Sequence, residues 1–180
     1  MMTKNQLARG LIQIYTGDGK GKTTCALGLA LRAVGQGLKV YMVQFMKGRE
    51  TGEVMAAADR LTPDLTLRPF GRPGLVNLRA PAPEDLALVL EAWDLARQVI
   101  LAGKHDLVIL DEINLALTFH LLPREEVFQV LRKRPPWVEV VLTGRQAPPE
   151  LIELADLVTE MRPLKHYYEA GVPARRGIEW

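Results

Sequence analysis

The sequence predicts an α/β protein in which helices flank a mostly parallel β-sheet. First, short β-type runs alternate with helix-type segments along the chain, which is the order that right-handed βαβ units require. Second, several β-type runs are apolar at consecutive positions, as strands buried on both faces are. Third, a glycine-rich loop joins the first β-type run to the first helix pattern. Ligands of such sheets bind beyond the carboxyl ends of the strands.

Six segments are predicted as strands: residues 11–16, 39–45, 65–70, 107–111, 138–143 and 157–161. Three helix patterns lie between them, at residues 23–36, 84–102 and 124–134. The first pattern is apolar on almost every side, so we expect a buried helix with Cys25 in the core. The second follows Pro83 and repeats apolar residues at i, i+3 and i+4.

Three stretches are predicted to be irregular: residues 46–52, 71–83 and 162–180. They contain glycine and lack an apolar period. Long irregular loops in a compact domain are more often functional than decorative. No linker divides the chain, so residues 1–180 are predicted to form one domain.

The composition excludes several classes of protein. The chain has 180 residues, 48% hydrophobic and 24% charged, which is typical of globular domains and not of disordered chains. Its 23 basic and 21 acidic residues give a formal charge of +2, too balanced to indicate nucleic-acid or membrane-surface binding. Residues 1–9 lack a signal-peptide core, and no apolar run approaches the roughly 18 residues of a membrane helix. With a single cysteine, Cys25, the chain is expected to be cytoplasmic.

The strongest motif follows the first predicted strand and reads Thr16-Gly17-Asp18-Gly19-Lys20-Gly21-Lys22-Thr23-Thr24. In such a phosphate-binding loop (P-loop), glycines turn backbone N–H groups toward one centre, and the helix N-terminus adds about half a positive charge. Lys22 supplies a mobile ammonium, and the Thr23 hydroxyl can bind Mg²⁺. Every residue of this run is therefore a candidate contact of a nucleotide.

Two features of the loop are unusual. The general pattern has glycine where Thr16 stands, and Asp18 puts a carboxylate beside the phosphates unless Mg²⁺ or Lys20 lies between them. The alternative interpretation of Gly17-Asp18-Gly19 is a simple turn without a ligand. The Gly21-Lys22-Thr23 that follows and the strand-to-helix context favour the P-loop.

A second candidate is the apolar run that ends in Asp111 and Glu112. In P-loop proteins an acid at this position lies on the Mg²⁺ side of the nucleotide, and hard oxygen ligands suit Mg²⁺. Solvated acids at an ordinary strand end are the alternative, which the P-loop disfavours. Four more charged residues have two possible interpretations, as a contact of the nucleotide or as an ordinary charge at the surface or at a helix end. They are Arg32, Lys47, Glu53 and Arg145.

These motifs alone leave different functions open. The chain could be an ATPase or small-molecule kinase that acts at the γ-phosphate, or a nucleotide-dependent module that binds nucleic acid. The balanced charge disfavours the binding module. The sequence contains neither an Asn-Lys-x-Asp guanine motif nor the protein-kinase signatures, and its three histidines lack zinc-ligand spacing.

The chain resembles the P-loop ATP:corrinoid adenosyltransferases of cobalamin synthesis and salvage. The resemblance is carried by residues 16–24, 43–48, 110–114, 142–145 and 155–160, and then by Lys165-His166, Gly171 and Gly177-Ile178-Glu179. It extends over nearly the whole chain, whereas the alternatives rest on residues 16–24 and 111–112 alone. The adenosyltransferase is therefore the favoured hypothesis.

The resemblance implies a RecA-like P-loop fold, usually in a homodimer. The implied reaction transfers the 5′-deoxyadenosyl group of ATP to Co(I) of a corrinoid and releases inorganic triphosphate. Members of this family bind ATP in the orientation opposite to that in ordinary P-loop NTPases, so that C5′ rather than the γ-phosphorus is presented for reaction. The implied catalytic residues are Lys22 and Glu112, and Thr23 and Glu112 are the implied Mg²⁺ ligands. The run from Thr16 to Thr24, with Arg32, Glu53 and Arg145, is the predicted ATP site.

The resemblance also implies a reductant and an apolar corrinoid pocket. Co(II) must be reduced to Co(I), so an electron donor such as a flavoprotein is an expected partner. Members of the family carry aromatic residues, including a tryptophan, in the loop after the third strand, whereas residues 71–83 contain no tryptophan. Phe70, Leu75 and Val76 are the predicted corrinoid-binding residues.

Overall fold

The computed structural model describes residues 7–180. The prediction that residues 1–9 are not a signal peptide falls largely on residues 1–6, which lie outside the described residues. The strands are β1 (Ile12–Thr16), β2 (Val40–Phe45), β3 (Leu65–Phe70), β4 (Leu107–Asp111), β5 (Glu139–Thr143) and β6 (Leu157–Glu160). The helices are α1 (Lys22–Gly35), α2 (Gly52–Arg60), α3 (Pro83–Ala102), α4 (Ile113–Thr118), α5 (Arg124–Lys133) and α6 (Pro149–Leu154).

The strands form one sheet in the order β3-β2-β4-β5-β1-β6. All neighbouring pairs are parallel, which confirms the predicted α/β class. Because parallel strands end at the same edge of a sheet, the last residues of β1, β4 and β5 lie close together. These residues are Thr16, Asp111 and Thr143.

Each face of the sheet is covered by a separate apolar cluster. On one face, α1 packs Ala26, Ala30 and Ala33 over a cluster that includes Met42 and Ile109. The opposite cluster contains the apolar side of α3 and α5 and the alternate residues of the central strands. Small side chains at i, i+4 and i+7 bring α1 close to the sheet, which fixes the start of α1 near the end of β1.

Helix α1 is not buried on all sides, which corrects the prediction from its composition. Cys25 is exposed, and Leu31 is 59% exposed. The sheet covers only one face of a helix, and the outward face of α1 also carries apolar residues such as Leu31, so composition alone does not show which face is buried. Strand β6 is likewise exposed along its length because it lies at the edge of the sheet.

The short helices α2, α4 and α6 were not predicted. Helices α4 and α6 have six residues each, too few for a 3.6-residue period to show. Helix α2 buries only Ala57. The irregular stretches predicted at residues 71–83 and 162–180 hold no strand, and their one helical residue is Pro83, where α3 begins. Among residues 7–180, no helix is long and apolar enough to cross a membrane.

Candidate active site

The P-loop joins the end of β1 to the start of α1, as predicted. Gly17 and Gly21 have positive φ angles of 92° and 121°, a conformation that glycine adopts without steric cost. A Cβ atom at Gly19 would lie 2.7 Å from the carbonyl oxygen of Met161. The amide of Gly19 instead donates a hydrogen bond of 2.7 Å to that oxygen. The glycines thus allow the chain after β6 to pack directly on the loop.

Lys22 reaches back across the loop from the first turn of α1. Its ammonium donates hydrogen bonds of 2.7 Å to the carbonyl oxygens of both Gly17 and Gly19. Burial lowers the pKa of Lys22, and Arg145 adds to this effect, whereas the nearby carboxylates, Glu112 first, oppose it. The structure therefore places a partly desolvated positive charge inside the P-loop, where phosphate oxygens would meet it.

Asp111 is the central acid of the site. It is fully buried at the end of β4, and its Oδ1 accepts hydrogen bonds from the hydroxyls of Thr23 at 2.8 Å and Thr143 at 2.6 Å. Its Oδ2 accepts hydrogen bonds from Lys47 Nζ at 2.6 Å and Gln44 Nε2 at 3.2 Å. The sequence indicates Asp111 only jointly with Glu112, as an acid at a strand end on the Mg²⁺ side of the nucleotide, and does not predict these hydrogen bonds.

Glu112 follows Asp111 with a left-handed backbone, φ 66°, and lines the cleft above the P-loop. Its amide donates a hydrogen bond of 3.0 Å to Thr143 Oγ1. Burial raises the pKa of Glu112, the charge of Asp111 raises it further, and Lys47, Lys22 and Arg145 oppose the shift. Two adjacent acids thus meet the loop, one fully hydrogen-bonded and one turned to the cleft.

The sequence does not predict Gln44 as a member of the site, and it leaves Lys47 open between a nucleotide contact and a surface charge. Gln44 is fully buried in β2, and its amide lies between Asp111 and Glu53, 3.4 Å from Glu53 Oε1. Lys47 is the second residue after β2, in the stretch predicted to be irregular. Its ammonium contacts Asp111 and lies 3.3 Å from Thr23 Oγ1. Because β2 and β4 are neighbours in the sheet, only the topology shows that these side chains converge.

The tail, defined as residues 162–180, forms the other wall of the cleft. The cleft has a volume of about 480 Å³, and His166, Tyr167 and the segment 177–180 line it opposite the P-loop. Lys20 links the two walls, because its ammonium lies 3.2 Å from the Ile178 carbonyl oxygen and 3.5 Å from Glu179 Oε1. Both cations and apolar surface therefore face the same cavity.

Glu179 holds the tail together. It accepts hydrogen bonds from the Arg175 amide and guanidinium and from the Tyr167 hydroxyl. Arg175 first, and then Tyr167, lower the pKa of Glu179 to about 2. The Arg175 guanidinium also lies 4.8 Å from the centre of the Tyr167 ring. A charged cluster, rather than a helix or strand, gives the tail its conformation.

Most of the predicted ATP-binding residues meet at this cleft. Its lining includes these members of the predicted ATP site: Asp18, Gly19, Lys20, Gly21, Lys22, Thr23, Thr24, Glu53 and Arg145. Glu112, the predicted catalytic residue and Mg²⁺ ligand, lines it as well. Thr16 and Gly17 lie behind the lining, where Thr16 Oγ1 accepts a 3.2 Å hydrogen bond from the Ala147 amide. Arg145 Nε lies 3.9 Å from Asp18 Oδ1. Arg32 is exposed in the last turn of α1 and does not line the cleft.

The predicted corrinoid residues do not meet at the P-loop. Phe70 is partly buried and packs against the core on the α3 side. Leu75 is fully exposed, and Leu75 and Val76 line a separate depression of about 370 Å³ together with Arg72 and Asp85. Arg72 makes two hydrogen bonds of 2.8 Å with Asp85, which fix one side of this depression. A corrinoid role for Phe70, Leu75 and Val76 stays a prediction.

The donor atoms at the P-loop suit Mg²⁺. The Thr23 hydroxyl and the Glu112 carboxylate, which are oxygen donors that suit Mg²⁺, line the cleft. The buried carboxylate of Asp111 lies behind Thr23 and accepts its hydrogen bond. Within residues 7–180, no three His, Cys, Asp or Glu residues form a cluster that could hold a metal by themselves. Magnesium needs no such cluster, because it is usually held by one or two carboxylates together with substrate phosphates and water.

The chain is similar in sequence to corrinoid adenosyltransferases. The model of a family described as "ATP:corrinoid adenosyltransferase BtuR/CobO/CobP" matches residues 8–180. A corrinoid adenosyltransferase of Escherichia coli (strain K12) is 40% identical over 173 residues, which are 96% of this chain and 86% of that protein. A corrinoid adenosyltransferase of Pseudomonas aeruginosa is 37% identical over 172 residues, which are 96% of this chain and 84% of that protein.

Solved structures supply a more distant likeness. The crystal structure of flagellar accessory protein FlaH from Methanocaldococcus jannaschii matches with a TM-score of 0.60 and 12% identity, over 86% of this chain and 72% of that chain. At this identity the likeness concerns the fold alone. Together with the parallel sheet and the P-loop after β1, it confirms the predicted RecA-like α/β fold.

Proposed function

The chain belongs to the ATP:corrinoid adenosyltransferase family, and we propose that the cleft between the P-loop and the tail is its active site. The enzyme transfers the 5′-deoxyadenosyl group of ATP to the Co(I) of a corrinoid and releases triphosphate. One observation carries the placement. At the P-loop, Lys22 donates hydrogen bonds to two loop carbonyl oxygens, and the adjacent Thr23 donates one to Asp111.

The residues of the cleft fit the charge changes of this reaction. Co(I) is a strong nucleophile and attacks C5′, so no general base is needed. A Co–C bond forms, the C5′–O bond breaks, and the electron pair leaves on the triphosphate oxygen. Lys22, Lys20 and the loop N–H groups would stabilise the negative charge of that leaving group. The loop N–H groups belong to the backbone and are positioned before the reaction, so these donors require little reorganisation.

We propose that Mg²⁺ binds on the Thr23 side of the cleft. Thr23 and Glu112 are the assigned ligands, and Asp111 accepts the hydrogen bond of the Thr23 hydroxyl. Bound there, Mg²⁺ would supply further positive charge to the triphosphate. Asp111 orients the Thr23 oxygen for this contact, while the raised pKa of Glu112 indicates a carboxylate that gains from a cation.

The proposed function extends to the assembly, the electron donor and the compartment. We propose a homodimer, for which exposed apolar residues such as Leu31 on α1 and Leu157 on β6 offer surface. We propose a flavoprotein or similar donor for the reduction of Co(II), and a reducing cytoplasm as the compartment that suits this chemistry. Residues 1–180 would act as a single catalytic domain, with Phe70, Leu75 and Val76 contributing to the corrinoid pocket.

An anaerobic assay tests the proposed function. The purified protein would be mixed with chemically reduced cob(I)alamin, ATP and Mg²⁺, the visible spectrum followed, and the phosphate product identified. Adenosylated corrin together with intact triphosphate is the expected result. Release of phosphate or diphosphate without a change in the corrin spectrum would contradict attack at C5′ and indicate a phosphoryl-transfer enzyme.

A further inference from the structure

Lys47 places its ammonium between two groups of the proposed magnesium site. The Nζ atom is 2.6 Å from Asp111 Oδ2 and 3.3 Å from Thr23 Oγ1. No other cation in residues 7–180 makes a salt bridge with Asp111. The contact is therefore a specific one, between a lysine of the loop after β2, whose side chain is one-quarter exposed, and a fully buried acid at the end of β4.

The hydrogen-bonding capacity of Asp111 is already filled. A carboxylate offers about four acceptor sites, and Asp111 receives Thr23 and Thr143 on Oδ1 and Lys47 and Gln44 on Oδ2. A divalent cation that contacts Thr23 Oγ1 beside Asp111 would come within a few ångströms of the ammonium. Like charges at that distance repel strongly in a partly buried site. The ammonium and the metal therefore compete for one position.

The backbone of Lys47 is fixed, whereas its side chain has room to move. The Lys47 amide donates a 3.0 Å hydrogen bond to the Phe70 carbonyl oxygen. A Cβ atom at Gly71 would lie 2.6 Å from the Lys47 nitrogen, so the two loops pack backbone against backbone. The Lys47 side chain is 25% exposed and lines the same cleft as Lys22. A flexible four-carbon stem can redirect the ammonium without moving the loop.

We propose that Lys47 is an exchangeable counter-ion of the active site. Without nucleotide it neutralises Asp111. When the divalent cation arrives with ATP, the ammonium leaves Asp111 and pairs with the triphosphate in the same cleft. Lys47 thereby keeps a buried acid compensated in the empty enzyme and adds positive charge to the leaving group in the loaded one. This inference rests on the proposed position of Mg²⁺, but not on the identity of the corrinoid.

Binding of Mn²⁺ to the nucleotide-free protein tests the exchange directly. Free Mn²⁺ is measured by its electron paramagnetic resonance signal in the wild type, in Lys47→Met, and in Lys104→Met as a control that removes an exposed lysine elsewhere. Lys47→Met should bind Mn²⁺ about tenfold more tightly than the wild type, because the competing charge is gone. The control should match the wild type. Unchanged or weaker binding in Lys47→Met would overturn the proposal.

A second measurement covers the possibility that Lys47→Met unfolds, since it leaves Asp111 buried without its ion pair. Added Mg²⁺ should raise the melting temperature of Lys47→Met much more than that of the wild type. In Lys47→Arg, which keeps the charge and can hold a carboxylate with two hydrogen bonds, ATP binding should require more Mg²⁺. The Mg²⁺ concentration needed for ATP binding would be measured by calorimetry. A value in Lys47→Arg equal to that of the wild type would contradict the exchange. Absence of adenosyl transfer in the wild type would instead count against the proposed function, since neither measurement uses a corrinoid.

Discussion

The amide of Gly19 donates a 2.7 Å hydrogen bond to the carbonyl oxygen of Met161, which ties the P-loop to the residue after β6. This contact joins two segments at opposite ends of the chain. It also explains why the loop has glycine here, since the backbone of Met161 occupies the space of a side chain.

The Gly19 contact predicts a loss of both stability and ATP affinity on substitution. In Gly19→Ala the new Cβ atom would meet backbone atoms of Met161 at 2.7 and 2.9 Å, so loop or strand must shift. We expect the free energy of unfolding to fall by about 1–3 kcal/mol and ATP to bind more weakly by calorimetry. Gly28→Ala is the control, because nothing lies within 4 Å of its added atom. If the two variants had equal stability and equal ATP affinity, the close contact between Gly19 and Met161 would not be what requires glycine.

Lys22→Ala should abolish adenosyl transfer while the protein stays folded. The ammonium bonds only to loop carbonyls, and a positive charge at the leaving group contributes about 10²–10³-fold in rate. Transfer from ATP to cob(I)alamin and circular dichroism would be compared with those of Lys133→Ala, an exposed lysine on α5. Retained transfer in a folded Lys22→Ala protein would exclude the ammonium from the mechanism.

Glu112→Gln should have opposite effects on stability and on magnesium use. Burial raises the pKa of Glu112, so ionised Glu112 destabilises the folded protein at neutral pH. The glutamine variant should therefore melt higher without nucleotide, and this gain should disappear as the pH falls below the ordinary pKa of glutamate. Adenosyl transfer should require more Mg²⁺, because one ligand is lost. An unchanged Mg²⁺ titration would assign the metal to Asp111 instead.

Glu179→Gln should loosen the tail. Arg175 and Tyr167 hold the pKa of Glu179 at about 2, so its stabilising effect is present above the ordinary pKa of glutamate and is lost as the pH falls toward 2. Hydrogen exchange of residues 162–180 should be faster in the variant at neutral pH than in the wild type. Glu153→Gln, on α6, provides a charge-matched control. Slow exchange in Glu179→Gln would show that other contacts order the tail.

The elements and the site were predictable to different degrees from the sequence. The central strands could be predicted because they are apolar at consecutive positions, and the P-loop because its glycines, Lys22 and Thr23 are neighbours in sequence. The buried face of α1 could not be predicted, since apolar residues lie on both of its faces. The contacts of Asp111 with Gln44 and Lys47 could not be predicted either. Gln44 lies in β2 and Lys47 in the loop after it, and only the pairing of β2 with β4 brings both residues to Asp111.

The position of β1 in the sheet has a consequence for how the enzyme is made. Strand β1 is translated early, yet its partners are β5 and β6, more than a hundred residues later in the chain. During translation β2, β3 and β4 can therefore pair with one another before the strands that pair with β1 have been made. Contacts this distant in sequence form slowly. We therefore expect the nucleotide site to form only after β5 and β6 have been made, and chains that end before β5 to lack it.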